Sequence, residues 1–259
     1  MGSSNRWRGR LFMGRDRLVY AGPVGSTQPH AHHAFQVVLA LEQTMLLGPG
    51  GEEPAPVSLA IIPPDAPHAI HVPCPFVLLV FIDPDGAAGR RLRELGVPHT
   101  PAAAWRQIAE ARLLDLALCE PQTWAEADSL AAEIVERLAP GAARPRPMHP
   151  AITRVLRCLP DLLDGPVRLE ELAALAGISA GRLSHLFTET VGIPLRPYVR
   201  WLRLQRAAQS LERGASITAT AHAAGFADAA HLNRVFRRMF GIAPSDIVGW
   251  AEWIAPPSE

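Results

Sequence analysis

Four histidines lie in two short segments of the first half of the chain, and their side chains offer ligands for a metal ion. His30, His32 and His33 stand at the start of a β-rich run, and His68 follows the proline-rich segment 63–67. The neutral imidazole ring suits Zn, Ni, Cu and Fe(II). A fold that brings the two segments together would therefore create a candidate metal site or a pocket for another small ligand.

The same two segments resemble the ligand pattern of the cupin family. Cupins have His-x-His, an acidic residue four positions after the second histidine, and a later Pro-x-Gly-x-x-His, all at the mouth of a β-barrel. Here His30 and His32 are followed by Gln36 in the place of the acid, and His68 follows Asp65, which takes the place of the glycine. The resemblance implies a divalent transition metal held by His30, His32 and His68, although the amide of Gln36 is a poorer ligand than a carboxylate.

Basic side chains give the second half of the chain a different chemistry. The net charge of the 259 residues is zero, but residues 18–143 contain 6 Arg and 14 acidic residues, whereas residues 180–240 contain 9 Arg and 3 acidic residues. All 25 basic residues are arginine, which binds phosphate bidentately, although a GC-rich genome gives the same bias. A basic block after an acidic region is typical of a module that binds a polyanion.

A proline-rich segment separates these two regions. Residues 139–150 contain four prolines and no apolar periodicity, which is the composition of a linker. The sequence therefore predicts a first domain over 1–139, a linker over 140–150 and a second domain over 151–259.

Short β-rich runs precede this linker and predict an antiparallel sheet structure. They cover residues 33–41, 44–47, 57–62, 68–72 and 76–82. No helix separates them, so we expect an antiparallel β-barrel of the cupin type or a sandwich. Two helical patterns follow, around 105–116 and 124–138, and their apolar stripes predict packing on the barrel and contact between two copies in a homodimer.

Helical patterns fill the second domain, so the whole chain is expected to be a two-domain α+β protein with an all-α C-terminal domain. Seven helices are predicted, over 150–163, 169–176, 180–190, 195–212, 217–224, 229–239 and 245–252. Ser179, Ser216 and Asp228 stand at expected N-caps. Gly177-Ile178 with Leu183 and Phe187 recurs as Gly225-Phe226 with Leu232 and Phe236. This repeat predicts two helix-turn-helix units joined by the helix 195–212.

The repeat resembles the AraC/XylS family of transcriptional regulators. The resemblance covers residues 166–247, through LEELAALAGISAGRLSHLFTETVGIPLRPYV and SITATAHAAGFADAAHLNRVFRRMFGIAPSDI. It implies a regulator that binds double-stranded DNA through the second helix of each unit, responds to a small-molecule effector and contacts RNA polymerase. The base-reading residues that it implies are Gly181, Ser184 and His185 in the first unit and Ala229, Ala230, Asn233 and Arg234 in the second. The flanking residues assigned to phosphate contact are Arg182, Arg200, His231, Arg237 and Arg238.

Two uses of the histidines stay open. Sensor domains of this regulator family often keep such histidines without a metal, which favours an effector pocket. That pocket would be lined by His30, His32, Gln36 and His68. The alternative is a metal-dependent, dioxygenase-like cupin enzyme fused to a DNA-binding module, with His33 and His71 as substitute ligands.

For the helical domain, a further alternative is a nucleoid or RNA-binding module without sequence preference.

Composition and the absence of targeting signals bound the class of protein. With 48% hydrophobic and 19% charged residues, the chain can bury a core, which excludes wholesale disorder. The longest uncharged runs contain prolines and histidines that do not suit a membrane-spanning helix, and the first twenty residues lack a signal-peptide stretch. Cys74, Cys119 and Cys158 form no metal or disulfide spacing. We therefore expect a regulator without enzymatic activity in the cytoplasm, with no membrane contact.

Overall fold

The computed structural model describes residues 7–14, 16–40, 44–48, 53–99, 101–141 and 148–254. The chain divides into two compact units: the first unit is Met1–Arg144 with Phe236–Glu259, and the second unit is Pro145–Val235. One division point lies inside the predicted linker 140–150. At the other end, the structure groups residues 236–259 with the first unit, whereas the sequence places them in the second domain.

The first unit contains nine strands among its described residues. They are β1 (Arg10–Met13), β2 (Arg17–Val24), β3 (Phe35–Ala40), β4 (Met45–Gly48), β5 (Ala55–Val57), β6 (Leu59–Ile62), β7 (Ala69–Ile70), β8 (Cys74–Ile82) and β9 (Glu252–Ile254). They form a six-stranded sheet in the order β6-β3-β8-β2-β1-β9 and a three-stranded sheet in the order β5-β4-β7. The predicted closed barrel is therefore wrong for the described strands, because their ladders end at β6 and β9 and at β5 and β7.

Three helices of the first unit follow the strands: α1 (Ala87–Arg93), α2 (Ala102–Leu113) and α3 (Trp124–Leu138). The two predicted helical patterns are confirmed as α2 and α3. Thr123 caps α3 by accepting from Glu126 N, and Trp105 of α2 is buried and donates its indole N–H to Pro98 O over 2.8 Å. The apolar stripes pack in one core with β2, β3 and β8. They are thus used inside this chain, and the homodimer stays a prediction.

The helices of the second unit match the predicted pattern closely. They are α4 (Pro150–Cys158), α5 (Leu169–Ala176), α6 (Ala180–Val191), α7 (Leu195–Glu212), α8 (Ile217–Ala223) and α9 (Ala229–Phe240), whose last residues belong to the first unit. The N-caps are confirmed, since Ser179 accepts from Arg182 N, Ser216 accepts from Ala219 N and Asp228 accepts from His231 N. The first helix is shorter than predicted, because a 3-10 turn over Leu159–Leu162 replaces its end.

The predicted helix over 245–252 is wrong. A 3-10 turn at Pro244–Asp246 begins this segment, and β9 ends it, in parallel register with β1. Proline suits the first position of the turn because it needs no N–H donor there. The peptide N–H of Glu252 donates to Gly9 O over 2.9 Å. The free edge of β1 therefore offers hydrogen bonds that a local apolar pattern cannot reveal, and these bonds favour a strand.

Candidate functional site

Three of the predicted histidines converge in the first unit. His30 and His68 form an antiparallel bridge in which each peptide N–H donates to the other carbonyl, over 2.9 and 2.8 Å. The ring centroids lie 4.2 Å apart for His30 and His68 and 5.0 Å apart for His32 and His68. One nitrogen from each ring lies within 4.8 Å of the other two. We call His30, His32 and His68 the histidine cluster.

The histidine cluster is closed to solvent. The exposed fraction of the residue is 8% for His30, 1% for His32 and 0% for His68, and it is 2% for Gln36 beside them. The rings of His32 and Phe81 also meet edge to face, with centroids 5.3 Å apart. An organic effector would have to push these rings apart, whereas a single ion needs only a small adjustment of the side chains.

Backbone carbonyls fix the protonation of two cluster rings. His30 Nδ1 lies 2.9 Å from Gln28 O, and His68 Nδ1 lies 2.9 Å from Ala66 O. A carbonyl oxygen only accepts, so Nδ1 carries the proton in both rings and Nε2 keeps its lone pair. This is the form in which imidazole binds a metal, with the second nitrogen held by a backbone carbonyl.

Burial also keeps the cluster neutral. It lowers the pKa of His30 to about 3, helped by the nearby His32. The pKa of His68 falls well below its ordinary value through burial and through His30 and His32, and burial lowers the pKa of His32. Protons therefore do not compete with a cation for these nitrogens near neutral pH.

The side-chain amide of Gln36 lies between two rings. Its Oε1 is 2.8 Å from His32 Nε2 and 3.0 Å from His68 Nε2. Because His68 Nε2 has no proton, this placement sets two acceptors against each other. Either the amide turns its NH2 group toward the rings, an assignment that the hydrogen-bond network decides, or a cation lies among these lone pairs. The buried His32 Nδ1 also has no hydrogen-bond partner among the described residues.

His33 and His71, the alternative ligands, lie outside this cluster. His33 Nδ1 lies 2.8 Å from Asp65 Oδ2, and its Nε2 lies 3.8 Å from Asp85 Oδ2. Burial lowers the pKa of His33, but hydrogen bonds to Asp65 and Asp85 outweigh it, so the net shift is upward. His71 is exposed. His33 lies between two carboxylates, where it serves the fold of this loop and not the ligand set.

Asp65 has a structural role in the loop before His68. It stands where the cupin pattern has glycine, and its φ of 63° lies in the left-handed region, which aspartate tolerates better than most residues. Its peptide N–H donates to His32 O over 2.8 Å. Asp65 thus keeps the backbone conformation of the glycine position and ties the loop before His68 to the segment that precedes β3.

The predicted DNA-contact residues lie on two helices. On α6, Gly181, Ser184 and His185 are exposed, opposite the buried Leu183 and Phe187. On α9, Ala230 and Arg234 are exposed, whereas Ala229 and Asn233 are half-buried. Arg234 has no ion-pair partner among the described residues. Each set leaves side chains available to a partner molecule.

The predicted phosphate contacts differ in availability. Arg182 follows the N-cap of α6, Arg200 lies on α7, and Arg237 and Arg238 lie in the last turn of α9; all four are exposed. His231 is half-buried, and its ring meets Phe226 edge to face with centroids 5.4 Å apart. His231 therefore already contributes to packing at the turn between α8 and α9.

Known proteins resemble the chain most strongly over this helical region. Residues 172–248 match a family described as a helix-turn-helix domain. The transcriptional activator NphR of Rhodococcus is 30% identical over 206 residues, which are 73% of this chain and 61% of NphR. The HTH-type transcriptional regulator GlxA of Rhizobium meliloti is 33% identical over 100 residues, 38% of this chain and 31% of GlxA. The chain thus spans about a third to three fifths of the length of these relatives.

A solved structure extends the likeness to both units. ToxT from Vibrio cholerae O395 has a TM-score of 0.52 and 10% sequence identity, and the alignment covers 90% of this chain and 97% of ToxT. At this identity the likeness concerns the fold alone. NphR and GlxA are both named as transcriptional regulators, which supports the interpretation as a regulator and gives the dioxygenase alternative no support. None of the described helices is long and apolar enough to span a membrane.

Proposed function

We propose that the protein is a transcriptional regulator of the AraC/XylS type that binds promoter DNA in a sequence-specific manner, since residues 172–248 match a helix-turn-helix family and the relatives NphR and GlxA are named as a transcriptional activator and a transcriptional regulator. Its DNA occupancy is controlled by an effector at the histidine cluster. The family assignment of residues 172–248 is the single observation that carries the DNA-binding part of this proposal.

Two helix-turn-helix units, α5–α6 and α8–α9, contact the DNA in this proposal. The capped N-termini of α6 and α8 and the glycine turns before α6 and α9 support it. The connecting helix α7 has 18 residues, or about 27 Å at 1.5 Å per residue. Successive major-groove faces of B-DNA are about 34 Å apart, a distance that this helix and the widths of its neighbours can bridge.

Base reading in this proposal depends most on Arg234, whose guanidinium can fork onto guanine O6 and N7. Asn233 suits an adenine edge, and His185 suits a guanine or a phosphate. Gly181, Ala229 and Ala230 carry no polar side-chain atoms and can contribute only close approach or methyl contacts. The second unit therefore supplies more of the sequence preference than the first.

A comparison of Arg234→Ala with Arg237→Ala in the full chain tests this assignment. We expect Arg234→Ala to cost about 1 to 3 kcal/mol of binding free energy and to relax one base position, whereas Arg237→Ala weakens binding to all sequences alike. Selection from a random duplex library, followed by affinities at fixed salt, measures both effects. An Arg234→Ala protein with unchanged affinity and base preference would contradict the orientation proposed for α9. Equal affinity of the parent chain for scrambled DNA would support non-specific binding instead.

The effector that best fits the histidine cluster is a divalent transition metal ion. Three buried imidazoles, two of them with Nδ1 held by carbonyls, place one nitrogen of each ring within 4.8 Å of the other two. A bound ion supplies charge and fixed coordination, and it stabilises the first unit because it binds the folded state. Gln36 makes the site weaker than one with a carboxylate.

Thermal unfolding of the full chain with Zn²⁺ and Ni²⁺ tests the metal. Saturation at about 100 times Kd adds about 2.7 kcal/mol of stability, which we expect to lose in His68→Ala and in His32→Ala but to keep in the control His71→Ala. Small metabolites serve as the competing class of effector in the same screen. Stabilisation by a metabolite and by none of the metals would replace the ion with an organic effector.

The remaining partners follow from the regulator assignment. A regulator of chromosomal DNA acts in the cytoplasm, and gene activation requires contact with RNA polymerase. A homodimer doubles the DNA contacts on a two-fold symmetric or repeated site. Sedimentation of the full chain with and without a selected duplex distinguishes one copy from two per site.

A further inference from the structure

The C-terminal end of α9 lies against the histidine cluster within the first unit. Gly241 O accepts from the peptide N–H of Gln28 over 2.9 Å, and Gln28 O lies 2.9 Å from His30 Nδ1. One residue, Gln28, thus bonds a cluster ring through its carbonyl and the residue after α9 through its N–H. No feature of the local sequence around Gly241 predicts this contact.

Gly241 is packed too tightly for any side chain. A Cβ atom there would lie 2.4 Å from Gln28 O and 2.7 Å from His30 Nδ1, and the φ of Gly241 is +69°. Since real Cβ atoms do not approach a backbone oxygen so closely, a substitution must move the segment around Gly241 or the His30 ring. This glycine therefore fixes the distance between the chain after α9 and the cluster.

Phe240, the last residue of α9, is a ring neighbour of His32. Its ring centroid lies 6.5 Å from that of His32 and 4.6 Å from that of Phe236. Phe240 itself is half-buried. Two consecutive residues, Phe240 and Gly241, thus lie beside two of the three candidate ligands, His32 and His30.

The segment beyond Gly241 is anchored to the same unit. Trp7 N donates to Asp246 O over 2.9 Å, and Arg10 Nε lies 3.3 Å from Glu252 Oε2. Strand β9 extends the sheet beside β1. These bonds hold the segment from Asp246 onward. A movement of the chain at Gly241 is therefore passed toward the last turn of α9 and not toward β9.

We propose that Phe240 and Gly241 complete the effector site and transmit its occupancy to α9, the helix that carries Arg234 and Asn233. This inference rests on the proposed function. Two imidazole nitrogens on one tetrahedral zinc ion are about 3.3 Å apart, and the cluster nitrogens lie within 4.8 Å of one another. A bound ion therefore fixes the positions of the three rings, and the path from His30 through Gln28 to Gly241 passes this constraint to the end of α9.

Gly241→Ala and Phe240→Ala test the proposal in the full chain, with Gly249→Ala and Phe240→Leu as controls. Gly249 has a φ of +78° but nothing within 4 Å of an added Cβ, so its variant carries the same backbone strain without the contact. Zn²⁺ affinity by calorimetry and duplex affinity with and without Zn²⁺ are the two measurements. We expect Gly241→Ala and Phe240→Ala to weaken Zn²⁺ about tenfold, the effect of a residue that orients ligands, and to abolish the Zn²⁺ dependence of duplex binding. Gly249→Ala and Phe240→Leu keep both.

Hydrogen exchange without DNA separates this proposal from the proposed function. In the parent chain, Zn²⁺ slows exchange in peptides that contain Gln28 and the last turn of α9, and in Phe240→Ala it does not. If this exchange pattern is observed but the chain binds no duplex, the DNA-binding function is wrong and the coupling between the cluster and α9 stands. Zn²⁺ that fails to bind the parent chain, or that binds and leaves exchange at α9 unchanged, overturns the proposal, as does wild-type Zn²⁺ affinity in both test variants.

Discussion

At the scale of single residues, consecutive histidines have opposite pKa shifts. Burial lowers the pKa of His32, whereas the carboxylates of Asp65 and Asp85 raise the pKa of His33 against the effect of burial. Successive side chains of an extended segment point to opposite sides, which places one ring in the cluster and the next among acids. His32 thus belongs to the histidine cluster, whereas His33 contacts the carboxylates of the neighbouring loops.

NMR titration of the imidazole rings in metal-free protein checks these shifts. We expect His30 to stay neutral until about pH 3, and His33 to keep its proton above the ordinary value near 6.5. For His30 the folded pKa lies below the unfolded one, so its contribution to stability is lost as pH falls from about 6.5 toward 3. The sign for His33 is opposite, since its ion pair is lost as pH rises. A His30 ring that titrates near 6.5 would show that the cluster is open to water.

Gln36→Glu is a second residue-level prediction. A carboxylate beside the three imidazoles adds a charged ligand, so we expect Zn²⁺ to bind about tenfold tighter, or by ~1.4 kcal/mol. The same change buries a charge in the absence of metal, which costs stability. Unfolding with and without Zn²⁺ measures both effects, and Gln28→Glu serves as a control because the Gln28 side chain is exposed. Higher metal-free stability with no gain in affinity would contradict the placement of this side chain among the ligands.

Residue types and spacing could predict the three cluster histidines, because they match the cupin-like histidine pattern. They could not predict Phe240 and Gly241, which are more than 200 positions from His30 and His32 and approach them only through the tertiary fold. The role of Asp65 lies between these cases. Its place in the pattern predicts a glycine-like turn, but its bond to His33, 32 positions away, depends on the tertiary fold.

At the scale of elements, the glycine turn between α5 and α6 and the glycine turn between α8 and α9 differ in their surroundings. Gly177 and Gly225 have φ values of 72° and 76°. A Cβ on Gly177 would meet only Arg154 Nη1 at 4.0 Å, whereas one on Gly225 would lie 2.0 Å from Leu163 O. Arg203 donates to the same carbonyl of Leu163. The second turn is therefore packed against the loop before α5, and the first turn is open.

Alanine at each turn glycine measures this difference. The left-handed conformation alone costs an alanine about 1 to 2 kcal/mol, which is the whole effect expected for Gly177→Ala. Gly225→Ala adds an overpacking cost of about 1 to 3 kcal/mol. Urea unfolding of the two variants gives the comparison directly. Equal destabilisation would mean that the contact with Leu163 yields at no cost.

Element boundaries could be predicted where capping and periodicity agree. Helices α6, α8 and α9 begin where Ser179, Ser216 and Asp228 indicate, because these caps are local interactions. Strands β1 and β2 were not predicted, since Arg10, Gly14 and Arg17 interrupt the alternation. The last strand β9 carries the spacing of a helix, and only pairing with β1 decides its conformation.

At the scale of the whole molecule, the first unit is built from both ends of the described chain. Deleting residues 249–259 removes β9 and exposes the edge of β1. Trp253 and Ile254 are each half-buried, so we expect a loss of about 2 kcal/mol from the first unit only. Calorimetry of the truncated chain should show one transition lowered and the other unchanged. A decrease in the transition of the second unit would contradict the division between the units.

The parallel pairing of β9 with β1 also sets an order for biosynthesis. The ribosome completes Val235, and with it every residue of the second unit, before it makes Phe240, Gly241 or β9. A nascent chain therefore completes α4 to α8 while the six-stranded sheet still lacks its edge strand β9. Under the proposed function, a chain that ends between α9 and β9 keeps both proposed DNA-contact helices and lacks the strand that completes this sheet.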